Sequence, residues 1–176
     1  MSVTSLRWVK NRHYTTYDAM TEEEVPVYDL VTVHGDGYVK HWNISDYTLG
    51  HTIAPENKEE NLLTIDYTRD YARFATAGKE REIRVYDEET KSLMCELKAT
   101  PKENGHSSRI FCVKFSTLDP NMLVSGGWDN KMIFYDLRVH KPVLSILGPH
   151  VSGESIDFHP KDGKVLVGAC KEDNML

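Results

Sequence analysis

Residues Gly126 to Arg138 read GGWDNKMIFYDLR: two glycines, a polar turn, a hydrophobic run, then an aromatic residue followed by an acid. The stretch holds no evident reactive group. Asp and Asn bond their own backbone and tolerate positive φ, so Trp128, Asp129 and Asn130 mark a tight turn that feeds a strand over KMIFYD. What decides the fold is whether this turn and strand recur.

They do. Tyr135 follows Asp129 by six residues, and the same offset separates Trp42 from Asp36 in HGDGYVKHWN and Tyr86 from Glu80 in GKEREIRVYD. Thr32, Thr76 and Ser125 stand four residues before those acids. Counting 23 residues back from each acid reaches His13, Asn57 and His106, and from Asp173 it reaches His150. The acids are 44, 49 and 44 residues apart (36 to 80, 80 to 129, 129 to 173). Between these marks lie short strands, DLVTV, YVKHWN, LLTIDYT, ARFATAG, EIRVYD, SLMCEL, IFCVKF, NMLVSGG and KMIFYD, separated by Gly, Asp, Asn and Pro turns. The runs lack the three-and-four spacing of an amphipathic helix. Four strands per period of about 45 predict an all-β chain built of four-stranded antiparallel propeller blades.

At this point the chain resembles the WD40 repeat family, most closely in NGHSSRIFCVKFSTLDPNMLVSGGWDNKMIFYDLR, with its Gly105 and His106 pair and its terminal Tyr135 and Asp136. The resemblance extends over roughly residues 25 to 176. It implies a buried structural relay of His106, Ser125, Asp129 and Tyr135. The matching positions are Thr32, Asp36 and Trp42 in the first unit, Thr76 and Tyr86 in the second, and His150 and Asp173 in the last. The units read as 13–52, 53–99, 104–147 and 148–176, the last truncated. Residues 1–12 read as an outer strand of a preceding or closing blade, because Trp8 stands only five residues before His13. HYTTYDAMTEEEVPV reads as an acidic insertion in place of a first strand. Asn57 and Glu80 replace the His and Asp of the relay, and Ala169 replaces a hydroxyl, so those two relays are expected to be incomplete. About three and a half to four blades, against the family's usual seven, imply a partial array. It is read as a fragment, a truncated isoform or an incomplete gene model, or else a short protein closing by dimerisation.

A composition of 40% hydrophobic and 27% charged residues is that of a folding chain. No run of about 18 apolar residues is present and the N-terminus lacks the apolar core of a secretory signal, so no membrane insertion or export is expected. The expected localisation is cytoplasmic or nuclear. Cys95, Cys112 and Cys170 lie far apart and read as free thiols. The histidines show no ligand spacing, and no cofactor or metal is expected. The net charge of -6 argues against direct nucleic-acid binding and favours protein partners with basic peptide segments.

Repetition of the His, Ser and Asp pattern in several units speaks for scaffold chemistry and against a nucleophilic triad. The function expected is a non-enzymatic scaffold for protein–protein interactions within a larger complex, with no small-molecule substrate. Two alternatives are a propeller enzyme and a substrate receptor of a cullin-RING ubiquitin ligase. The second rests on YDLR, Tyr135 to Arg138, which is similar to the box such receptors carry. By the family pattern, the residue before each relay acid faces partners: Gly35, Lys79, Trp128 and Glu172, with Ser107 and Ser108 beside the third. Trp128, Lys79, Ser108 and Arg138 are the candidate partner-binding residues.

Overall fold

The repeat is visible in the backbone before any side chain is considered. Gly37, Arg81 and Asn130 all have positive φ, as do Tyr47, Lys91 and His140. Both sets step by 44 (37 to 81, 47 to 91) and by 49 (81 to 130, 91 to 140), the same intervals as the acids. Each set marks a tight reversal where a left-handed residue is required. Non-glycine residues occupy most of these positions because the flanking ladders over-determine the turn.

The computed structural model describes residues 2–18, 20–21, 23–57, 60–98 and 105–170, without the side chains at 12–14 and 17. It is all-β there. The first sheet contains β1 (Val3–Asp18), β2 (Glu23–His34), β3 (Val39–Asn43) and β4 (Thr48–Ile53) in that order. The second contains β5 (Leu62–Tyr67), β6 (Arg73–Gly78), β7 (Ile83–Asp87) and β8 (Leu93–Leu97). The third contains β9 (Ile110–Phe115), β10 (Met122–Gly127), β11 (Lys131–Asp136) and β12 (Lys141–Leu147). A hairpin of β13 (Ile156–Phe158) and β14 (Val165–Val167) follows, where DFHPKDGKVLV is read. All pairings are antiparallel.

One expectation needs correcting. Residues 1–12 do not form an outer strand of a neighbouring blade: β1 pairs with β2 in the first sheet, Trp8 opposite Leu30 and Val9 opposite Asp29. The ladder resumes with Thr15 opposite Pro26 after a bulge between Lys10 and Thr15. The acidic stretch therefore forms the arms of a long hairpin rather than an insertion replacing a first strand. Period-two alternation drives this pairing. Ser5 and Val9 turn inward and are buried, while Leu6 and Trp8 face outward.

Three apolar layers hold the sheets together. Val9, Val31, Val33 and Val39 of the first sheet meet Leu62, Phe74 and Tyr86 of the second. Ala75, Ala77, Ile83, Val85 and Leu97 on the second sheet's other face meet Ile110, Leu123 and Tyr135 of the third. Cys112, Val124 and Met132 then meet Ile156 and Phe158 of the hairpin. Each fully buried Val, Leu, Ile or Phe is worth about 1.5–3 kcal/mol, so packing between sheets dominates any single polar contact. Small residues in one face and large ones in the next let the layers interdigitate.

The inner strands β1, β5 and β9 are cross-linked by charge. Asp66 on β5 accepts from Arg7 Nε of β1 at 3.2 Å, from Lys114 Nζ of β9 at 3.1 Å and from the Phe115 amide at 2.9 Å. Arg7 reaches on to Glu154, ahead of β13, at 3.0 Å. The array is open. Val3, Leu30, Trp42, Ile44 and Tyr47 of the first sheet line an apolar hollow of about 260 Å³, which no other described sheet covers.

Candidate functional site

The third sheet brings its relay together. His106 precedes β9, Ser125 lies on β10, Asp129 sits in the following turn and Tyr135 on β11. His106 Nδ1 lies 3.0 Å from both Asp129 oxygens and Nε2 lies 2.7 Å from Ser125 Oγ. With Nδ1–H donating to the carboxylate, Nε2 is left to accept the serine hydroxyl. The Ser125 hydroxyl in turn bonds the Tyr135 phenol. Asp129 also accepts the Ser107 amide at 2.8 Å and the Lys131 amide at 3.3 Å. Burial alone would raise the Asp129 carboxyl, but the His106 bond and charge and the two amides hold it below the usual range. Burial pushes the Tyr135 phenol upward, against the Ser125 bond.

The glycine pair explains the local path. A Cβ on Gly126 would stand 2.8 Å from Val151 and from Ile156, and one on Gly127 would stand 2.2 Å from the Arg109 carbonyl oxygen. Only glycine permits this close approach of strand, turn and neighbouring chain.

Elsewhere the expected relays differ. In the first sheet Thr32 Oγ1 accepts Trp42 Nε1 at 2.9 Å and lies 3.0 Å from His34 Nε2. His34, two residues along the same strand face, supplies the imidazole. The side chain of His13 lies outside the described residues. Among the described residues neither carboxylate oxygen of Asp36 has a hydrogen-bond partner, so Asp36 is not joined to Thr32 or His34. Burial and the Lys40 charge lower the His34 imidazole. In the second sheet Thr76 Oγ1 is buried without a well-formed hydrogen bond, although the Tyr86 phenol faces it. Glu80 is exposed and the carbonyl of Asn57 merely closes a turn to the Glu60 amide.

That blade uses another device, which sequence reasoning missed. Arg84 on β7 is buried and pairs with Glu60, Glu82 and, across the ladder, Glu96 at 3.1 Å. Glu56 stands 3.7 Å away, and Lys98 bridges Glu82 at 3.1 Å and Glu96 at 2.6 Å. The available signal was the direct pairing of positions 84 and 96 on adjacent strands, where opposite charges attract.

In the fourth unit, Asp173 and Glu172 lie outside the described residues. Among the described residues His150 has no relay partner. Its Nδ1 lies 2.8 Å from Asn130 Oδ1 and its ring stacks on Trp128, centroids 6.3 Å apart at 13°, so it supports the third sheet's turn.

Trp128 itself is 44% exposed. Phe111 lies against it at 4.9 Å and 29°, and the Arg109 guanidinium carbon sits 5.6 Å from its ring centroid. The indole is thus held between two rings with a large part of its surface in water. Ser108 is half-buried and Lys79 exposed in the equivalent turn of the second sheet, its amide bonded to Asn61 O at 2.9 Å. Arg138 spends its donors on Asp136, at 2.8 and 2.9 Å, and on Asp119 at 3.2 Å.

Ser125 is fully buried, as is the His106 side chain. A substrate carbonyl has no route to that serine, which removes the triad reading on access alone. Among the described residues no three of His, Cys, Asp and Glu are grouped as metal ligands.

Comparison with known proteins agrees with this architecture. The family description "WD domain, G-beta repeat" matches residues 97–136. The chain is 24% identical to Protein sof1 of Schizosaccharomyces pombe over 147 residues, covering 84% of this chain and 31% of that protein. It is 25% identical to a "Ribosome biogenesis protein WDR12 homolog" of Culex quinquefasciatus, covering 68% and 27%. Human Coronin-7 is 30% identical over 102 residues, covering 57% and 11%. The chain therefore spans less than a third of the length of these relatives. The family match lies over residues 97–136, which include β9, β10 and β11, and the same turns and strands are repeated in the first two sheets, so the chain carries a WD40 repeat there and is similar to WD-repeat proteins over most of its length.

Proposed function

We propose that this chain acts as a non-enzymatic WD40 scaffold for protein–protein interaction, with Trp128 as a partner anchor. The observation that carries the reading is the held but exposed indole. An aromatic side chain on a rigid turn leaves apolar area in water, and binding it loses little conformational freedom. The polar groups beneath it are turned inward: Asp129 is committed to His106, Ser107 and Lys131. Relatives whose printed names place them in ribosome biogenesis and the cell division cycle support a scaffold role in a larger assembly. The proposed setting is the cytoplasm or nucleus, with protein partners rather than nucleic acid or a small molecule. For the ligase-receptor alternative, Arg138 is tied through Nε and Nη2 to Asp136 and Asp119 within its own blade, an arrangement that a loop-capping role explains equally well.

The test is quantitative capture of partners from cell extract by the wild type and by Trp128→Ala, alongside thermal unfolding of both. The expected result is a loss of affinity of about 2 kcal/mol or more, the hot-spot range, with a small change in melting temperature. Normal capture by a strongly destabilised variant would make Trp128 a packing residue.

A further inference from the structure

We infer that the surface around Trp128 takes an acidic peptide segment, an Asp or Glu carboxylate beside an apolar residue, with Arg109 reading the carboxylate. This rests on the reading of Trp128 as partner anchor and adds the partner's chemistry.

Arg109 is exposed, and its one side-chain contact among the described residues is the face of Trp128. Arg7 pairs with Asp66 and Glu154, Arg84 with its carboxylates, and Arg138 with Asp136 and Asp119. Arg73 bonds Asn121 and the Pro120 carbonyl. The Arg109 guanidinium carbon sits 5.6 Å from the Trp128 centroid with no carboxylate partner among the described residues, a placement from which guanidinium can take a carboxylate bidentately.

The backbone fixes this pair. The Trp128 amide donates to the Arg109 carbonyl at 3.1 Å, and Gly127 permits that approach. Both side chains therefore start from hydrogen-bonded neighbours, so the carboxylate site and the apolar site keep one spacing.

Local charge also favours an acid. Among the described residues Arg109 precedes β9, Lys131 opens β11, His150 lies between β12 and β13, and Asp129 sits in the turn before β11. Lys131 Nζ lies 3.3 Å from the Gly105 carbonyl, and Asp129, the acid among them, is buried in the relay. The hydroxyls of Ser107 and Ser108 precede Arg109 in the chain and add donors. Screening limits exposed charges to about 8 Å at physiological salt, so the nearby cations Arg109 and Lys131 bear on the preference more than the net charge of -6.

The experiment selects random peptides displayed on phage against the immobilised full chain. The best synthetic peptide is then titrated against wild type, Arg109→Gln and Trp128→Ala, with thermal unfolding as a folding control. The expected peptides share an Asp or Glu next to an apolar residue. Arg109→Gln should weaken binding about tenfold without changing the melting temperature, and added salt should weaken the wild type toward the variant. Enrichment of Lys and Arg, or an unchanged affinity in Arg109→Gln while Trp128→Ala abolishes binding, overturns the acidic partner and leaves the anchor. Unchanged affinity in Trp128→Ala, or no enriched peptide at all, overturns the anchor and the inference together.

Discussion

The second and third sheets share strand order, turn positions and left-handed residues, yet they close their polar ends by different chemistry. The third uses a line of side chains, Tyr135, Ser125 and His106, that ends on the Asp129 carboxylate, which also accepts the Ser107 and Lys131 amides. The second uses one buried cation, Arg84, among acids, and leaves the Thr76 hydroxyl unmatched. Both lie over the same apolar layer. The difference teaches that the blade is set by alternation, turn geometry and packing. The polar closure is interchangeable provided that the buried groups find partners.

The comparison makes unequal demands on single substitutions. Arg84→Met carries the largest expected cost, about 3–5 kcal/mol, because Glu60 is left buried and uncompensated. Chemical denaturation should show it as a lower midpoint, and an effect near zero would mean the cluster is solvated in practice. His106→Ala comes next, at about 2–3 kcal/mol, from the orphaned Ser125 and Asp129 and the space left behind. Glu80→Ala is expected to change stability by less than about 0.5 kcal/mol, since the exposed carboxylate makes no relay bond. A cost for Glu80→Ala similar to that of Asp129→Ala would show that the second blade closes in solution as the third does.

The third sheet was legible because every relay position falls on a short-range count from one turn, and turns are specified by local residue types such as Gly126, Gly127, Asp129 and Asn130. The failure of Asn57 and Glu80 to form a relay was legible for the same reason. β1 was not. Its long ladder with β2 is bulged between Lys10 and Thr15, and the first mark of the unit, His13, falls inside the strand at that bulge and so hid its start. The His34 imidazole beside Thr32 lies two residues along one strand face, a period-two signal that was present and passed over. Arg84 needed the pairing register of β7 with β8, which depends on the bulge between Val85 and Tyr86. The stack of His150 on Trp128 joins different units, and no local pattern encodes such a contact.

The central claim is that the third blade holds a coupled relay where the second holds none, and paired double-mutant cycles test it most directly. One cycle combines His106→Ala with Ser125→Ala, and the other combines Glu80→Ala with Thr76→Ala, all read by equilibrium unfolding. The account predicts a coupling of about 1 kcal/mol or more in the first cycle and additivity within about 0.5 kcal/mol in the second. Equal coupling in both cycles, or additivity in the first, would contradict it.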